Sequence, residues 1–147
     1  MKVSLIGVAG AGQMGSKIAQ VALLSGYTVL LYDFDLEAVK RTFVKMRRTF
    51  ERMRNQGKLT DEEIERLMRS ITSVKLEGNP DNETRGLGAA DFVIEAIIEN
   101  PEAKKNLYRV LERDCHEHTI IVSNTSTILI DELAEGVERK DKFMGMH

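Results

Sequence analysis

The chain has 147 residues, of which 42% are hydrophobic and 30% are charged, which is typical of one globular domain. Its formal net charge of −2 disfavours nucleic acid as a partner, because phosphate binding needs a basic excess, and no apolar run is long enough to predict a membrane partner. The single cysteine, Cys115, excludes an internal disulfide framework and favours a reducing, cytoplasmic compartment.

The N-terminal part of the sequence predicts a strand, a glycine-rich turn, a helix and a second strand. The short apolar run over residues 3–8 is typical of a buried parallel strand. Apolar residues at helical spacing follow over residues 14–24, and Gly26 ends that helix. The β-branched and apolar residues 28–33 form the second strand. This order is that of a βαβ unit.

Further helices and strands alternate along the rest of the chain. A helix over about 36–55 and a helix to residue 69, opened by Thr60 and Glu63 at capping-box spacing, predict a helical hairpin over about 36–70. The other predicted elements are a strand over 71–74, a loop over 77–88, a strand over 91–97, a helix from 101 to about 115 after Asn100, a strand over 119–126, a helix over 130–135 and a strand over 142–147. The alternation predicts an α/β fold of the Rossmann type, with a doubly wound, mainly parallel sheet and the hairpin inserted.

The turn after the first strand reads "GAGQMG", three glycines at G-x-G-x-x-G spacing. Gly10 would make the tight turn, Gly12 would let a pyrophosphate approach the backbone, and Gly15 would let helix and strand pack closely. The start of the helix offers free N–H groups and a positive dipole end to such an anion. A frame that includes Gly7 is the alternative, and it is disfavoured because the helix must begin near residue 14. The residues predicted to bind a dinucleotide here are Gly10, Gly12, Gln13, Met14 and Gly15.

An acidic residue follows at the end of the second strand. Asp33 lies about 20 residues beyond the glycines, where a carboxylate can accept hydrogen bonds from both hydroxyls of the adenosine ribose. Asp35 adds negative charge nearby, and no arginine follows at once. A 2′-phosphate would therefore be repelled, so the predicted cofactor is NAD and not NADP.

The second half of the chain carries ordered motifs of a known family. The segments "DFVIEAIIENPEAKKNLYRVL", "SNTSTILIDELA" and "GMH" resemble the NAD-binding domain of the 3-hydroxyacyl-CoA dehydrogenases of fatty-acid β-oxidation. The segment "GAGQMGSKIAQVALLSGYTVLLYD" in the first half agrees with this resemblance. It covers nearly the whole chain, so residues 1–147 are interpreted as one NAD-binding Rossmann domain.

The resemblance implies a role for each matching residue. His147 would take the proton of the 3-hydroxyl group as a hydride leaves C3 for the nicotinamide, since histidine titrates in the right range. Ser126 and Asn124 would hydrogen-bond the reacting oxygen. The implied cofactor-binding residues are Asp33, Ala96, Glu99, Lys104 and Asn124, and the implied catalytic residues are Ser126 and His147.

The family's pattern continues beyond the last residue of this sequence. After the histidine the family has an "F-F-N-P" segment, a glutamate that orients the histidine, and a helical C-terminal domain that closes the acyl-CoA cleft and forms the dimer. The resemblance therefore implies an acyl-CoA substrate, a homodimer when that domain is present, and a chain that binds NAD but turns over poorly alone. The alternatives are a non-catalytic NAD-binding module and another NAD(P)-dependent hydroxyacid dehydrogenase.

Two further clusters have a structural interpretation and a functional one. The helix over 36–55 has a basic face, interpreted as a solvated face opposite its apolar stripe, with attraction of CoA phosphates as the functional alternative. Cys115, His116 and His118 are metal-ligand types, but no second cluster completes a tetrahedral set, so no metal site is predicted. The residues of the basic face are Arg41, Lys45, Arg48 and Arg52.

Overall fold

The computed structural model describes residues 2–76 and 86–146, and strands alternate with helices through both stretches. The strands are β1 Leu5–Ala9, β2 Thr28–Tyr32, β3 Ile71–Ser73, β4 Phe92–Glu95, β5 Ile120–Ser123 and β6 Phe143–Gly145. The helices are α1 Gln13–Leu24, α2 Leu36–Asn55, α3 Asp61–Arg69, α4 Pro101–Asp114 and α5 Ile130–Ala134. Short 3-10 turns, Leu87–Ala89 and Lys140–Lys142, precede β4 and β6.

The strands form one sheet in the order β3-β2-β1-β4-β5-β6, and every pairing is parallel. This is the doubly wound Rossmann order, in which the direction of winding reverses between β1 and β4. The predicted fold class is confirmed, and the sheet is parallel throughout the described residues. Parallel strands bring their carboxyl ends to one edge of the sheet, where Ala9 pairs with both Tyr32 and Glu95.

Apolar side chains cover both faces of the sheet. On one face, α1, α2 and α3 pack around strand residues that include Val8 and Leu31. On the other face, α4 and α5 pack around residues that include Val93 and Ile121. Strands buried on both faces need nearly continuous apolar runs, which is why the sequence shows such runs and not an alternating pattern.

The helical hairpin of α2 and α3 belongs to the core. Val39, Met46 and Phe50 of the predicted stripe are buried against the sheet. The predicted capping box is present: the Thr60 hydroxyl accepts from the Glu63 N–H at 3.1 Å, and the Glu63 carboxylate accepts from the Thr60 N–H at 2.8 Å. The stripe therefore packs the hairpin onto the domain, as its spacing predicts.

β4 and β5 end two and three residues before the ends predicted for them. β4 ends at Glu95 instead of residue 97, and β5 ends at Ser123 instead of residue 126. Beyond these ends the N–H of Ile97 donates to the Glu95 carboxylate, and the N–H of Thr125 donates to the Ser123 hydroxyl. For the N–H groups of Ile97 and Thr125, side chains thus replace the neighbouring strand as hydrogen-bond partners. Both segments become loops at the carboxyl edge.

Parts of two predicted segments lie outside the described residues. The loop predicted over 77–88 is described from Gly86, which bridges to Lys75, and Leu87 begins a buried turn. The last strand is described as β6, whereas His147 lies outside the described residues. Among the helices of 2–76 and 86–146, none is long and apolar enough to cross a membrane.

Candidate functional site

The glycine-rich turn lies where the winding of the sheet reverses. Gly10 has a φ of +111°, a conformation that side chains with a Cβ rarely adopt. Its N–H donates to the Tyr32 carbonyl at 2.7 Å, and a Cβ at this position would lie 2.3 Å from the Ala96 oxygen. The turn therefore passes tightly between the ends of β2 and β4, and only glycine fits.

The other glycines of the turn differ in what surrounds them. A Cβ on Gly15 would lie 1.8 Å from the Gly10 oxygen, so α1 packs directly on the turn. A Cβ on Gly12 would meet no protein atom within 4 Å, so the backbone there faces open space. Gly7 lies inside β1, where a Cβ would meet Leu87 at 2.9 Å, which is a packing position. This geometry favours the frame of Gly10, Gly12 and Gly15.

The start of α1 is open to an anion. No side chain caps the helix, and its first turn carries no acidic residue, so its first N–H groups are available. Gln13 and Met14 are exposed at this end. These features are what a pyrophosphate needs beside Gly12.

Asp33 joins the turn to the end of β2. Its Oδ2 accepts from the Ala11 N–H at 2.7 Å, and its Oδ1 accepts from the Asp35 N–H at 2.9 Å. The Thr42 hydroxyl of α2 donates to the Ala11 carbonyl at 2.9 Å and holds the turn from the other side. An ionised carboxylate has about four lone-pair sites, so each oxygen of Asp33 can still accept a ligand hydroxyl.

A mainly apolar cleft of about 500 Å³ runs from Asp33 along the carboxyl edge. It is lined by Gly10 and Gly12, by the exposed Phe34, and by residues after β4 and along α4, which include Ala96 and Val110. An extended ligand with one polar end at Asp33 fits this shape, because pockets of this kind combine apolar walls with few polar groups.

A buried cluster of hydrogen bonds lies at the end of β4, and its centre is Glu95, which is fully buried. Its Oε1 accepts from Lys104 Nζ at 2.6 Å and from the Ile97 N–H at 2.8 Å. Its Oε2 accepts from the Ser123 hydroxyl at 2.6 Å and the Tyr108 hydroxyl at 2.7 Å. Burial and the adjacent Glu95 charge raise the pKa of Tyr108, so its hydroxyl stays protonated. One buried carboxylate thus ties together β4, α4 and β5.

Lys104 is predicted from the resemblance as a cofactor residue, and the structure places it beneath the site surface. Its side chain is only 1% exposed. Its Nζ lies 2.6 Å from the Glu95 carboxylate and 3.2 Å from the Glu99 carboxylate. In this conformation its ammonium group contacts the two carboxylates and is shielded from the surface.

Glu99 is the charged group that reaches the surface at this end. Its Oε1 accepts hydrogen bonds from the hydroxyls of Thr125 and Thr127, and its Oε2 pairs with Lys104. Desolvation would raise the pKa of Glu99, but these hydrogen bonds and the Lys104 charge outweigh it and lower the pKa to about 2. Glu99 is therefore ionised throughout the neutral range.

The loop after β5 carries the remaining predicted residues. The Asn124 N–H donates to the Glu95 carbonyl at 2.9 Å, which continues the pairing of β4 and β5. Ser126 is exposed on the same loop. His147 is not among the described residues, so its predicted place beside them stays a prediction.

The cysteine and histidine cluster lies elsewhere. The rings of His116 and His118 stack at 5.2 Å, and His118 lies 3.6 Å from Asp91 at the amino end of β4. Burial raises the pKa of the Cys115 thiol to about 12, which disfavours a thiolate ligand. Within the described part of the chain, no three histidine, cysteine or acidic side chains are grouped to hold a metal ion.

The partners of Glu99 and Lys104 were not predicted from the sequence. They are Glu95 as the centre of the buried cluster, Tyr108, Ser123, Thr125 and Thr127. One signal was available: polar residues end the apolar runs of β4 and β5, which parallel pairing brings to one edge. Tyr108 gave none, because an aromatic residue on the apolar face of a helix is ordinarily read as core.

Comparison with known proteins gives a family match along the whole domain. A family model described as "3-hydroxyacyl-CoA dehydrogenase, NAD binding domain" matches residues 5–147. A probable 3-hydroxybutyryl-CoA dehydrogenase of Bacillus subtilis is 37% identical over 147 residues, which is all of this chain and 49% of that protein. The chain spans about half the length of this relative. A rat relative is named as mitochondrial, and the cytoplasmic location of this chain stays a prediction.

Solved structures agree with the family match. The crystal structure of 3-hydroxybutyryl-CoA dehydrogenase from Escherichia coli superposes with a TM-score of 0.88 at 35% identity. The match covers all of this chain and 30% of that protein's chain. The crystal structure of (S)-3-hydroxybutyryl-CoA dehydrogenase from Ralstonia eutropha superposes with a TM-score of 0.86 at 32% identity. The match covers 99% of this chain and 49% of that protein's chain.

Proposed function

This chain belongs to the family of 3-hydroxyacyl-CoA dehydrogenase NAD-binding domains, and we propose that it is the cofactor-binding half of an enzyme that oxidises a 3-hydroxyacyl-CoA to the 3-ketoacyl-CoA, as in fatty-acid β-oxidation. NAD is the cofactor of this family. The observation that carries the proposal is one edge of the sheet, on which the open turn at Gly12 follows β1, Asp33 follows β2 and the ionised Glu99 lies on the loop after β4.

The residues of this edge fit NAD. Gly12 leaves open space where a Cβ would stand, beside the uncapped start of α1, as a pyrophosphate requires. Asp33 has acceptor sites left for the ribose hydroxyls, and its charge opposes a 2′-phosphate. When bound, NAD+ accepts the hydride that leaves C3 of the substrate.

The proposed chemistry of the chain's own residues is acid–base work at the 3-hydroxyl group. His147 takes the hydroxyl proton as the C3–H bond breaks, so that a carbonyl replaces the alcohol. Ser126 and Asn124 hydrogen-bond the oxygen on which the carbonyl forms. In this proposal Glu99 lies near the nicotinamide, on the loop after β4, and Lys104 and Thr127 hold its carboxylate in place.

The hairpin is proposed to attract the CoA phosphates. Its surface carries a cleft of about 510 Å³ that two arginines and one carboxylate line together with apolar side chains: Phe43, Val44, Arg47, Arg48, Glu51 and Met68. Arg47 also pairs with Glu65 at 2.7 Å, so the more available guanidinium for a phosphate is that of Arg48. The homodimer is likewise a proposal, since it depends on the C-terminal domain of the family.

The function is tested by fusing this chain to the remaining half of the Bacillus subtilis relative. We expect the fusion to reduce NAD with 3-hydroxybutyryl-CoA and to be far less active with free 3-hydroxybutyrate, as followed by absorbance of NADH. A His147→Ala fusion should lose activity by about 10²-fold or more, because general-base catalysis contributes that much.

The other outcomes separate the alternatives. Equal activity on the free hydroxyacid would favour another hydroxyacid dehydrogenase. A folded fusion that binds NAD without oxidising either compound would favour a non-catalytic binding module.

Replacing Asp33 with asparagine should weaken NAD binding by roughly 10–100-fold, because hydrogen bonds to a charged group contribute about 1.5–3 kcal/mol. The ratio of NADP to NAD affinity should rise, because the charge that opposes the 2′-phosphate is gone. Titration calorimetry with both dinucleotides measures this. Glu37→Gln, which removes a neighbouring exposed carboxylate paired with Lys40, is the control and should change neither affinity by more than about twofold. Unchanged NAD affinity in Asp33→Asn would remove the ribose role.

A further inference from the structure

Three charged side chains at the end of β4, in the loop after it and in α4 do not balance one another. Glu95 and Glu99 are both carboxylates, and they share the single ammonium group of Lys104 at 2.6 Å and 3.2 Å. The neighbouring Tyr108 and Ser123 contribute neutral hydroxyls. The group therefore keeps a net charge of about −1, and Glu99, whose side chain is 38% exposed, is the carboxylate of the two that reaches the surface.

We propose that Glu99 shifts the relative affinity of the site for the two oxidation states of the cofactor toward NAD+ and away from NADH, through the charge of the nicotinamide ring. The inference rests on the proposed function, because it takes the ring to lie at the Glu99 end. Asp33 marks the ribose of the adenosine half at β2, and the open turn at Gly12 marks the pyrophosphate at β1. The other half of the dinucleotide then extends over the ends of β4 and β5.

The physical reason is a difference in charge with little difference in shape. The oxidised ring carries one positive charge and the reduced ring carries none, so a nearby carboxylate attracts only the oxidised ring. Water screens such an attraction strongly, and a partly buried site screens it less. A site without the carboxylate has no comparable basis for preferring the oxidised ring.

Glu99 is held so that it can exert this effect. Its Oε1 accepts from Thr125 and Thr127, and its Oε2 faces Lys104, so its orientation is set before a ligand arrives. Lys104 offsets only part of the negative charge, because its single ammonium group is shared between Glu95 at 2.6 Å and Glu99 at 3.2 Å. Preorganised charges act without a cost of reorientation.

The test measures dissociation constants of NAD+ and NADH for the 147-residue chain, by calorimetry and by NADH fluorescence. Glu99→Gln should lower the ratio of the NADH to the NAD+ dissociation constant by about tenfold, mainly through weaker NAD+ binding. Glu99→Asp keeps the charge and should keep the ratio within about threefold of the wild type. Glu102→Gln removes an exposed carboxylate from the first turn of α4 and should leave the ratio unchanged.

Adenosine diphosphoribose, which lacks the ring, is the reference ligand for cleft integrity. Its affinity should stay within about twofold in Glu99→Gln, since no ring charge is involved. An unchanged NADH to NAD+ ratio in Glu99→Gln, or the same fall in Glu102→Gln, overturns the inference and leaves NAD binding intact. Failure of the wild-type chain to bind either dinucleotide overturns both the inference and the cofactor role.

Discussion

Replacing Lys104 with methionine should lower the free energy of unfolding by about 3–5 kcal/mol, because it leaves the fully buried Glu95 carboxylate without its cation. For a domain of this size the midpoint of thermal unfolding should fall by roughly 10 °C. Thermal and urea unfolding followed by circular dichroism measure both quantities. Ile97, Ser123 and Tyr108 still donate to Glu95 in this variant, but none of them carries a positive charge.

The matched control is the next residue along α4. Lys105 pairs with the exposed Glu135 at 3.7 Å, so Lys105→Met should cost about 1 kcal/mol or less. The double variant Lys104→Met with Glu95→Gln should recover most of the loss, since it buries no unpaired charge. A double variant no more stable than Lys104→Met alone would contradict the assignment of the cost to the unpaired carboxylate.

Replacing Gly15 with alanine should cost about 2 kcal/mol of stability and weaken NAD binding by about tenfold or more. The added Cβ would lie 1.8 Å from the Gly10 oxygen, so α1 must move away from the turn. That movement carries the first N–H groups of the helix away from the position of the pyrophosphate. Thermal unfolding and calorimetric titration of one purified sample give both values.

Gly12→Ala separates binding from folding. Gly12 has a φ of −74°, which alanine adopts readily, and the added Cβ would meet no protein atom within 4 Å. Stability should therefore change by less than about 1 kcal/mol. NAD binding should still weaken by about tenfold or more, because the Cβ occupies the space of the pyrophosphate. Full NAD affinity in Gly12→Ala would mean that the cofactor does not cross the turn here.

The buried cluster around Glu95 and the exposed Glu99 form one connected structure. Glu95 accepts hydrogen bonds from α4 and from β5, and the same elements present Lys104 and Thr125 to Glu99. The buried cluster thus sets where the exposed carboxylate stands. Loss of the cluster is expected to affect both stability and the ligand end of the site, whereas loss of Glu99 alone affects the ligand.

The order of elements and the turn could be predicted from the sequence alone. α2 has its predicted bounds because a continuous apolar stripe and end signals define a helix locally. The glycine frame was predictable because a strand, a turn and a helix at fixed spacing leave few places for Gly10 and Gly15. Such features depend on residues that are near one another in the chain.

The buried cluster was decided by the tertiary structure. Ser123 lies 28 residues from Glu95, and Thr125 lies 26 residues from Glu99, so their pairing exists only because β4 and β5 are neighbours. Lys104 is a surface residue by type, and only the packing of α4 against the sheet buries its ammonium between two carboxylates. Periodicity and turns can be predicted from residues that are neighbours in the sequence. A buried charge is stable only with partners that the fold brings from distant parts of the chain, so its position cannot be predicted locally.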